Sequence, residues 1–343
     1  MDVDPYGLSR VVGGPGLFPQ RAVRLDPSLP CRESELLIEV ERLNIDAASF
    51  EQLAREVGGD ETRIAEQVRR IVSERGKMHN PTTGSGGILI GRVKELGARH
   101  PARGRLQVGD RIASLVSLTL TPLVLDEIRA VHRDTHRVDV RGHAILFATG
   151  SYAKLPEDVS DSVALAALDV CGAPALVERH LRPGMTVAVL GAGKSGALCL
   201  AQARRGLGRA GRLLVIDVNE AALTELREHG LCDVALKLDA TRAVEVQEQV
   251  ARVTGGALCD LAINCVSVQD TEMSTILCVR DGGVAIFFSM ATSFTSASLG
   301  ADGVSRDVTL LMGNGYVPGH ADLTLELLRS EPGLRRFFER RFA

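Results

Sequence analysis

The 343-residue sequence has no tryptophan and three tyrosines, so it offers little on which nucleic-acid bases could stack. It also lacks an excess of either charge: 40 basic against 43 acidic residues leave a net charge of -3, without the electrostatic footprint of a nucleic-acid binder. No apolar run approaches the ~20 residues that span a bilayer. The opening MDVDPYGLSR has neither the basic start nor the apolar stretch of a signal peptide, and a cytoplasmic location is expected. The seven cysteines, Cys31, Cys171, Cys199, Cys232, Cys259, Cys265 and Cys278, form no CxxC pair. That excludes a zinc ribbon and a thioredoxin-type redox pair and leaves them as small buried hydrophobes.

What is present divides near residue 155. Before it, ELLIEVERLNI (35–45), GILIGRVKELG (87–97) and QVGDRIASLV (107–116) read as short strands separated by glycine- and proline-rich turns. One helix is expected over 60–75, with an acidic start, Ile64, Val68, Ile71 and Val72 on one face, and Gly76 at its end. It leads into GKMHNPTTGSGG, a polar loop. After 155 the rhythm alternates strand and helix: TVAVL (186–190), LLVID (213–217), DVALKL (233–238), DLAINCV (260–266), GVAIFFSM (283–290) and DVTLLMGNG (307–315). Six apolar runs at such spacing describe a parallel sheet wrapped by helices, with LRRFFERRFA as a closing amphipathic helix.

The sharpest local signal is Gly191-Ala192-Gly193-Lys194-Ser195-Gly196. It follows an apolar strand, opens a helix, and is trailed by Asp217 at the end of the next strand. The glycines permit the tight turn, the approach of a pyrophosphate to the backbone, and close helix–strand packing, while the helix N-terminus offers free N–H groups and a positive dipole. Asp217 would accept from both ribose hydroxyls and repel a 2′-phosphate, favouring NAD over NADP. A phosphate-binding P-loop is excluded, because it requires glycine where Ala188 stands. Lys194 either adds charge to the pyrophosphate site or is solvent-exposed, and a dinucleotide fold without cofactor is the bland alternative.

A strand-rich domain before a dinucleotide-binding one, with VGDRIASL, YAKLPEDVSDSVALAAL and LRPGMTVAVLGAG, resembles the medium-chain dehydrogenase/reductase superfamily. LNIDAASF stands where that superfamily has its first active-site loop. The cysteine of the zinc-dependent branch is missing there, and the later Gly-His-Glu turn reads Gly84-Ser85-Gly86, so no catalytic metal is expected. PYGLSRV, LFPQ, LNIDAASF (43–50), GKMHNPTTGSGGILIG (76–91), SLTLTPL and AALDVCGAPA (166–175) resemble the L-erythro-3,5-diaminohexanoate dehydrogenase family.

The resemblance implies an α/β architecture: a strand-rich GroES-like catalytic domain over 1–154, completed by 318–343, and a Rossmann doubly wound parallel sheet over 155–317. It implies NAD-dependent oxidative deamination of (3S,5S)-3,5-diaminohexanoate, a β-amino acid, to (S)-5-amino-3-oxohexanoate and ammonium in lysine fermentation. Such chemistry needs a base to neutralise the amine and activate water. His79 suits it by its unperturbed pKa, with Asp46 beside it holding an amino group or orienting the imidazole. Asp46 read locally is instead a turn former bonding its own backbone. Asn44, Ser49, Lys77 and Asn80 complete the expected substrate set, Lys77 as a carboxylate anchor. Cys265, Val266 and Ser289, at the ends of their apolar runs, join Asp217 and the glycine turn in the cofactor set. A homodimer through DVTLLMGNG is expected, since a last strand leaves an open edge. The competing readings are a zinc-free quinone or enoyl reductase, and a cofactor-binding protein without turnover.

Overall fold

The computed structural model describes residues 4–14, 16–208 and 210–343. The chain separates into two compact units, one ending at Leu155 and the other beginning at Pro156.

In the first unit, β1 (Val11–Val12) and β2 (Arg24–Leu25) form a small antiparallel ribbon. Six further strands, β3 (Glu35–Asn44), β4 (Ile88–Leu96), β5 (Arg111–Ser114), β6 (Leu123–His132), β7 (Arg137–Phe147) and β8 (Tyr152–Lys154), build an antiparallel sheet in the order β6-β7-β3-β4-β5-β8. Two helices interrupt the strands, α1 (Ala47–Glu56) and α2 (Glu61–Arg75). The second has the expected limits: the Asp60 side chain accepts from Arg63 N–H at its start, and Gly76 closes it in the left-handed conformation at φ 62°. Ile64, Val68, Ile71 and Val72 are buried together with Leu36, Ile38 and Val40 of β3. The helix α1 was not expected. LNIDAASF is a strand end followed by a helix start, and the Asp46 carboxylate caps it by accepting from Ser49 N–H at 3.0 Å.

In the second unit, β9 (Thr186–Leu190), β10 (Arg212–Asp217), β11 (Val234–Lys237), β12 (Cys259–Asn264), β13 (Val279–Phe287) and β14 (Val308–Met312) form a parallel sheet ordered β11-β10-β9-β12-β13-β14. This is a doubly wound order, with its direction reversing beside β9. The helices are α3 (Asp161–Leu168), α4 (Gly172–His180), α5 (Lys194–Leu207), α6 (Glu220–Glu228), α7 (Ala243–Thr254), α8 (Glu272–Leu277), α9 (Phe294–Gly303), α10 (His320–Ser330) and α11 (Pro332–Phe342). Alternate strand residues Ala188, Leu190, Leu214, Ile216 and Ala262 pack with Val246 of α7, Ile276 of α8 and Ala297 of α9. The intervening Val187, Val189, Val215 and Ile263 are equally buried, so both sheet faces are covered and the runs read as continuously apolar. Residues 318–343, expected to complete the first unit, lie in the second. Here α10 packs on α3 and α4, and α11 on α3, α5 and α6, with Leu334, Phe337 and Phe338 fully buried. All seven cysteines are free, five of them buried and Cys31 and Cys265 half-buried.

Candidate functional site

The parallel sheet delivers the glycine turn to the carboxyl end of β9. Gly196 must be glycine, because a Cβ there would stand 1.8 Å from the Gly191 carbonyl oxygen, which is what lets α5 approach its strand. At Gly193 the situation is opposite: a Cβ would meet nothing within 4 Å. The backbone therefore faces open space where α5 begins, and the helix starts without a side-chain cap. Its first N–H groups, over Lys194, Ser195 and Gly196, have no intrahelical acceptors and suit an anion.

Asp217 ends β10 with its carboxylate clamped by two main-chain donors, Ala192 N–H to Oδ2 at 2.6 Å and Asn219 N–H to Oδ1 at 2.7 Å. The acid is thus aimed by the glycine turn itself, and each oxygen keeps a lone pair for a ribose hydroxyl. Beside it, Ile216, Val218, Leu238, Val266 and Val268 line a largely apolar cavity of the kind a flat ring occupies. Lys194 Nζ lies 2.9 Å from Asp169 Oδ2, so its charge is already partnered rather than free in solvent. Cys265 N–H donates to Leu190, Val266 N–H to the Asn264 side chain, and Ser289 Oγ accepts from Ala291 N–H. These residues fit a dinucleotide. Asn264, which organises them, was missed by sequence reasoning; an amide inside the apolar run DLAINCV was the signal.

In the first unit the expected substrate residues gather around one wedge of backbone. Gly87 sits at φ +90°, and a Cβ on it would stand 2.0 Å from the Asn44 carbonyl and 2.8 Å from Asp46 N. A Cβ on the preceding Gly86 would stand 2.3 Å from the Met78 carbonyl. The GSGG turn thereby joins the end of β3 to the loop carrying His79. Asn44 is half-buried at that strand end. Ser49 is buried in α1, its hydroxyl bonded to Thr83 Oγ1.

Two polar atoms at this junction, Asp46 Oδ2 and His79 Nδ1, are buried and make no hydrogen bond to the described residues. Buried polar atoms in native proteins are normally satisfied, so these two are candidates for contact with a ligand or water. Burial, with the positive charges of Lys77 and Arg75 behind it, pushes the His79 pKa down from its ordinary 6.5. The imidazole is neutral near pH 7.

Two expected substrate contacts are corrected. Lys77 is completely buried, and its ammonium donates to the carbonyls of Pro19 at 2.7 Å, Thr119 at 2.8 Å and Gln20 at 3.4 Å. Three N–H bonds meet three carbonyls, which leaves no face for a substrate carboxylate. Asn80 is also completely buried. Its amide nitrogen holds the Ser49 carbonyl and Gln52, and its oxygen accepts from Thr82 and Thr83 N–H. Both brace the loop through hydrogen bonds to distant parts of the first unit.

A strand-rich antiparallel unit followed by a doubly wound unit with a glycine turn at a helix start is the fold of known alcohol dehydrogenases and quinone oxidoreductases. The chain is 47% identical over 338 residues to the L-erythro-3,5-diaminohexanoate dehydrogenase of Acetoanaerobium sticklandii, covering 98% of each. It is 46% identical over 337 residues to the enzyme of that name from Fusobacterium nucleatum, covering 97% of each. It belongs to the L-erythro-3,5-diaminohexanoate dehydrogenase family. Residues 9–156 match the model of that family's N-terminal domain. Among solved structures, a quinone oxidoreductase of Pseudomonas syringae shares the fold with a TM-score of 0.56 at 16% identity, over 97% of this chain and 96% of that one. A mycobacterial protein complexed with NADPH does so with a TM-score of 0.56 at 18% identity, over 97% and 88%. Among the described residues no three His, Cys, Asp or Glu side chains cluster as metal ligands would.

Proposed function

We propose that the protein oxidises (3S,5S)-3,5-diaminohexanoate to (S)-5-amino-3-oxohexanoate with NAD, releasing ammonium, as a step of lysine fermentation in the cytoplasm. The observation that carries this reading is the pair of unsatisfied atoms, Asp46 Oδ2 and His79 Nδ1, at one junction of a family member's first unit. Bound NAD supplies the hydride acceptor. The chain's residues do the proton work. Neutral His79 takes a proton from the substrate ammonium, so that the lone pair assists loss of hydride from the adjacent carbon. The imidazolium passes that proton to solvent. Neutral again, it takes a proton from the water as it adds to the iminium carbon and delivers it to the nitrogen. The C–N bond breaks as the hydroxyl proton leaves with the nitrogen, giving ketone and ammonium. Asp46, with one oxygen held by Ser49 N–H and the other open, binds the positively charged amine. Asn44, half-buried at the adjoining strand end, offers a further polar group, while Ser49 acts through the N–H that holds Asp46. The overall exchange is substrate ammonium, water and NAD to ketone, ammonium, NADH and a proton. Formation of NADH that depends on the diamine tests the reading; NADPH oxidation with a quinone and no diamine activity would overturn it.

NAD is preferred over NADP because the Asp217 carboxylate stands where the extra phosphate would lie. Its two main-chain bonds add a second consequence. Asp217→Ala removes repulsion but also loosens the glycine turn, so NAD use weakens while the NAD:NADP ratio of kcat/KM falls tenfold to a hundredfold, about 1–3 kcal/mol. Steady-state kinetics with both cofactors checks this, and a native enzyme indifferent between them would refute the assignment.

The assembly is a homodimer. Among the described strands β14 pairs only with β13, leaving one row of backbone groups open along Val308–Met312. Sedimentation at micromolar concentration is expected to give twice the chain mass, and a monomer would sink this.

A further inference from the structure

A single amide closes the carboxyl end of β12. Asn264 is completely buried, in a strand position that a parallel sheet ordinarily fills with an apolar side chain. Its Nδ2 donates to Thr271 Oγ1 at 2.8 Å and Thr275 Oγ1 at 2.9 Å, with the Thr271 carbonyl at 3.4 Å, while Oδ1 accepts from Val266 N–H at 2.9 Å. The Asn264 carbonyl accepts from Phe288 N–H at 3.0 Å and Ser289 N–H at 3.3 Å. One residue thus ties down both segments that leave the sheet after β12 and β13.

Those segments matter to the cofactor on two sides. Val266, Val268 and Thr271 form the wall of the apolar cavity that faces Ile216 and Asp217. The Cys265–Val266 peptide abuts the glycine turn, since a Cβ on Gly191 would lie 3.1 Å from Cys265 C and 3.3 Å from Val266 N. A shift of this peptide therefore moves the cavity wall and presses on the phosphate turn together. A buried amide is tolerated only when its hydrogen bonds are met, and here every donor and the acceptor are committed to that wall.

We infer that Asn264 is the positioning residue of the dinucleotide site, setting the gap between the adenosine wall and the glycine turn without itself touching the cofactor. The inference rests on the second unit being the cofactor unit. The test is titration calorimetry of the native chain, Asn264→Leu, Asn264→Asp and Thr275→Val with NADH and with AMP, alongside thermal melts and steady-state kinetics. In Asn264→Leu both ligands should bind at least tenfold more weakly, with KM for NAD rising more than kcat falls. Asn264→Asp keeps the shape and the acceptor for Val266 but sets a second oxygen against two threonine hydroxyls whose protons already go to the Val268 and Thr271 carbonyls, so it too should weaken both ligands at least tenfold. Thr275→Val should weaken both ligands two- to fivefold. An Asn264→Leu chain that binds both ligands as tightly as native overturns the inference, as does one that loses NADH but not AMP. If Asn264→Leu does not fold, unchanged affinity in Thr275→Val overturns it instead. A native chain that binds neither ligand contradicts the cofactor reading, a different failure.

Discussion

Exchanging His79 for alanine is expected to lower kcat by roughly 10²–10⁴-fold, the usual worth of a positioned general base, while NADH affinity stays near native. A substrate ammonium at neutral pH gives up its proton only to a group that is itself unprotonated and hydrogen-bond competent. His79 meets both conditions, with Nδ1 buried and unsatisfied and its pKa held below 6.5 by burial first and by Lys77 and Arg75 second. The direction of that shift fixes the pH profile. The active form is the neutral one, so kcat/KM should be sustained above the lowered pKa and fall as pH drops through it, on the acid side of 6.5. Turnover retained in His79→Ala would move the base to Asp46 or to a water held by Asn44.

The other large effect is on stability. Lys77→Met leaves the buried Pro19 and Thr119 carbonyls, and the partly buried Gln20 carbonyl, without this donor, and the loss should be about 2–5 kcal/mol. For a chain of this size that lowers Tm by roughly 3–7 °C. Differential scanning calorimetry measures the loss, and kinetics on the folded fraction should show an unchanged KM for the diamine. A carboxylate anchor would give the reverse, a raised KM with native Tm, and that outcome would restore Lys77 to the substrate. The pH dependence carries the same signature. Burial pushes the Lys77 pKa down from 10.5 to about 8, so the ammonium is still charged at pH 7. Between about 8 and 10.5 the unfolded chain holds this proton more firmly than the folded one, so this group's contribution to stability rises with pH across that window and is smallest below it. The methionine variant should lack that rise.

Most of the second unit was legible in the sequence, because a parallel strand buried on both faces leaves an unbroken apolar run. TVAVL coincides with β9, and LLVID lies within β10. The glycine turn was equally plain, since Gly196 answers to the Gly191 carbonyl in the same turn. The first unit was harder. LVLDEIRAVH and RVDVRGHAILF are strands whose charged residues alternate on partly exposed faces, and nothing in them separates strand from loop without knowing the partner. LNIDAASF hides a helix start, because an aspartate before Ala-Ala-Ser is as much a cap as a catalytic acid, and the structure makes it a cap with one oxygen to spare. Lys77 could not be told from a solvated lysine: its partners are carbonyls 42 to 58 residues away in the chain. Asn80 looked like a ligand for the same reason.

The seating of α11 against α3, α5 and α6 has a consequence for how the chain comes off the ribosome. The second unit begins at Pro156, yet three of its early helices are covered by its last one, and Glu225 of α6 is bonded by Arg341 near the end of that helix. At synthesis rates of about 5–20 residues per second, the remainder takes on the order of 10–40 s after Leu155 is made. Through that interval the antiparallel unit has all of its strands and can fold, whereas the parallel unit holds an apolar flank open until α11 emerges. Chaperones and proteases would therefore meet this protein chiefly through its nucleotide half, and ribosome-stalled chains lacking α11 should be protease-resistant up to Leu155 and degraded beyond it.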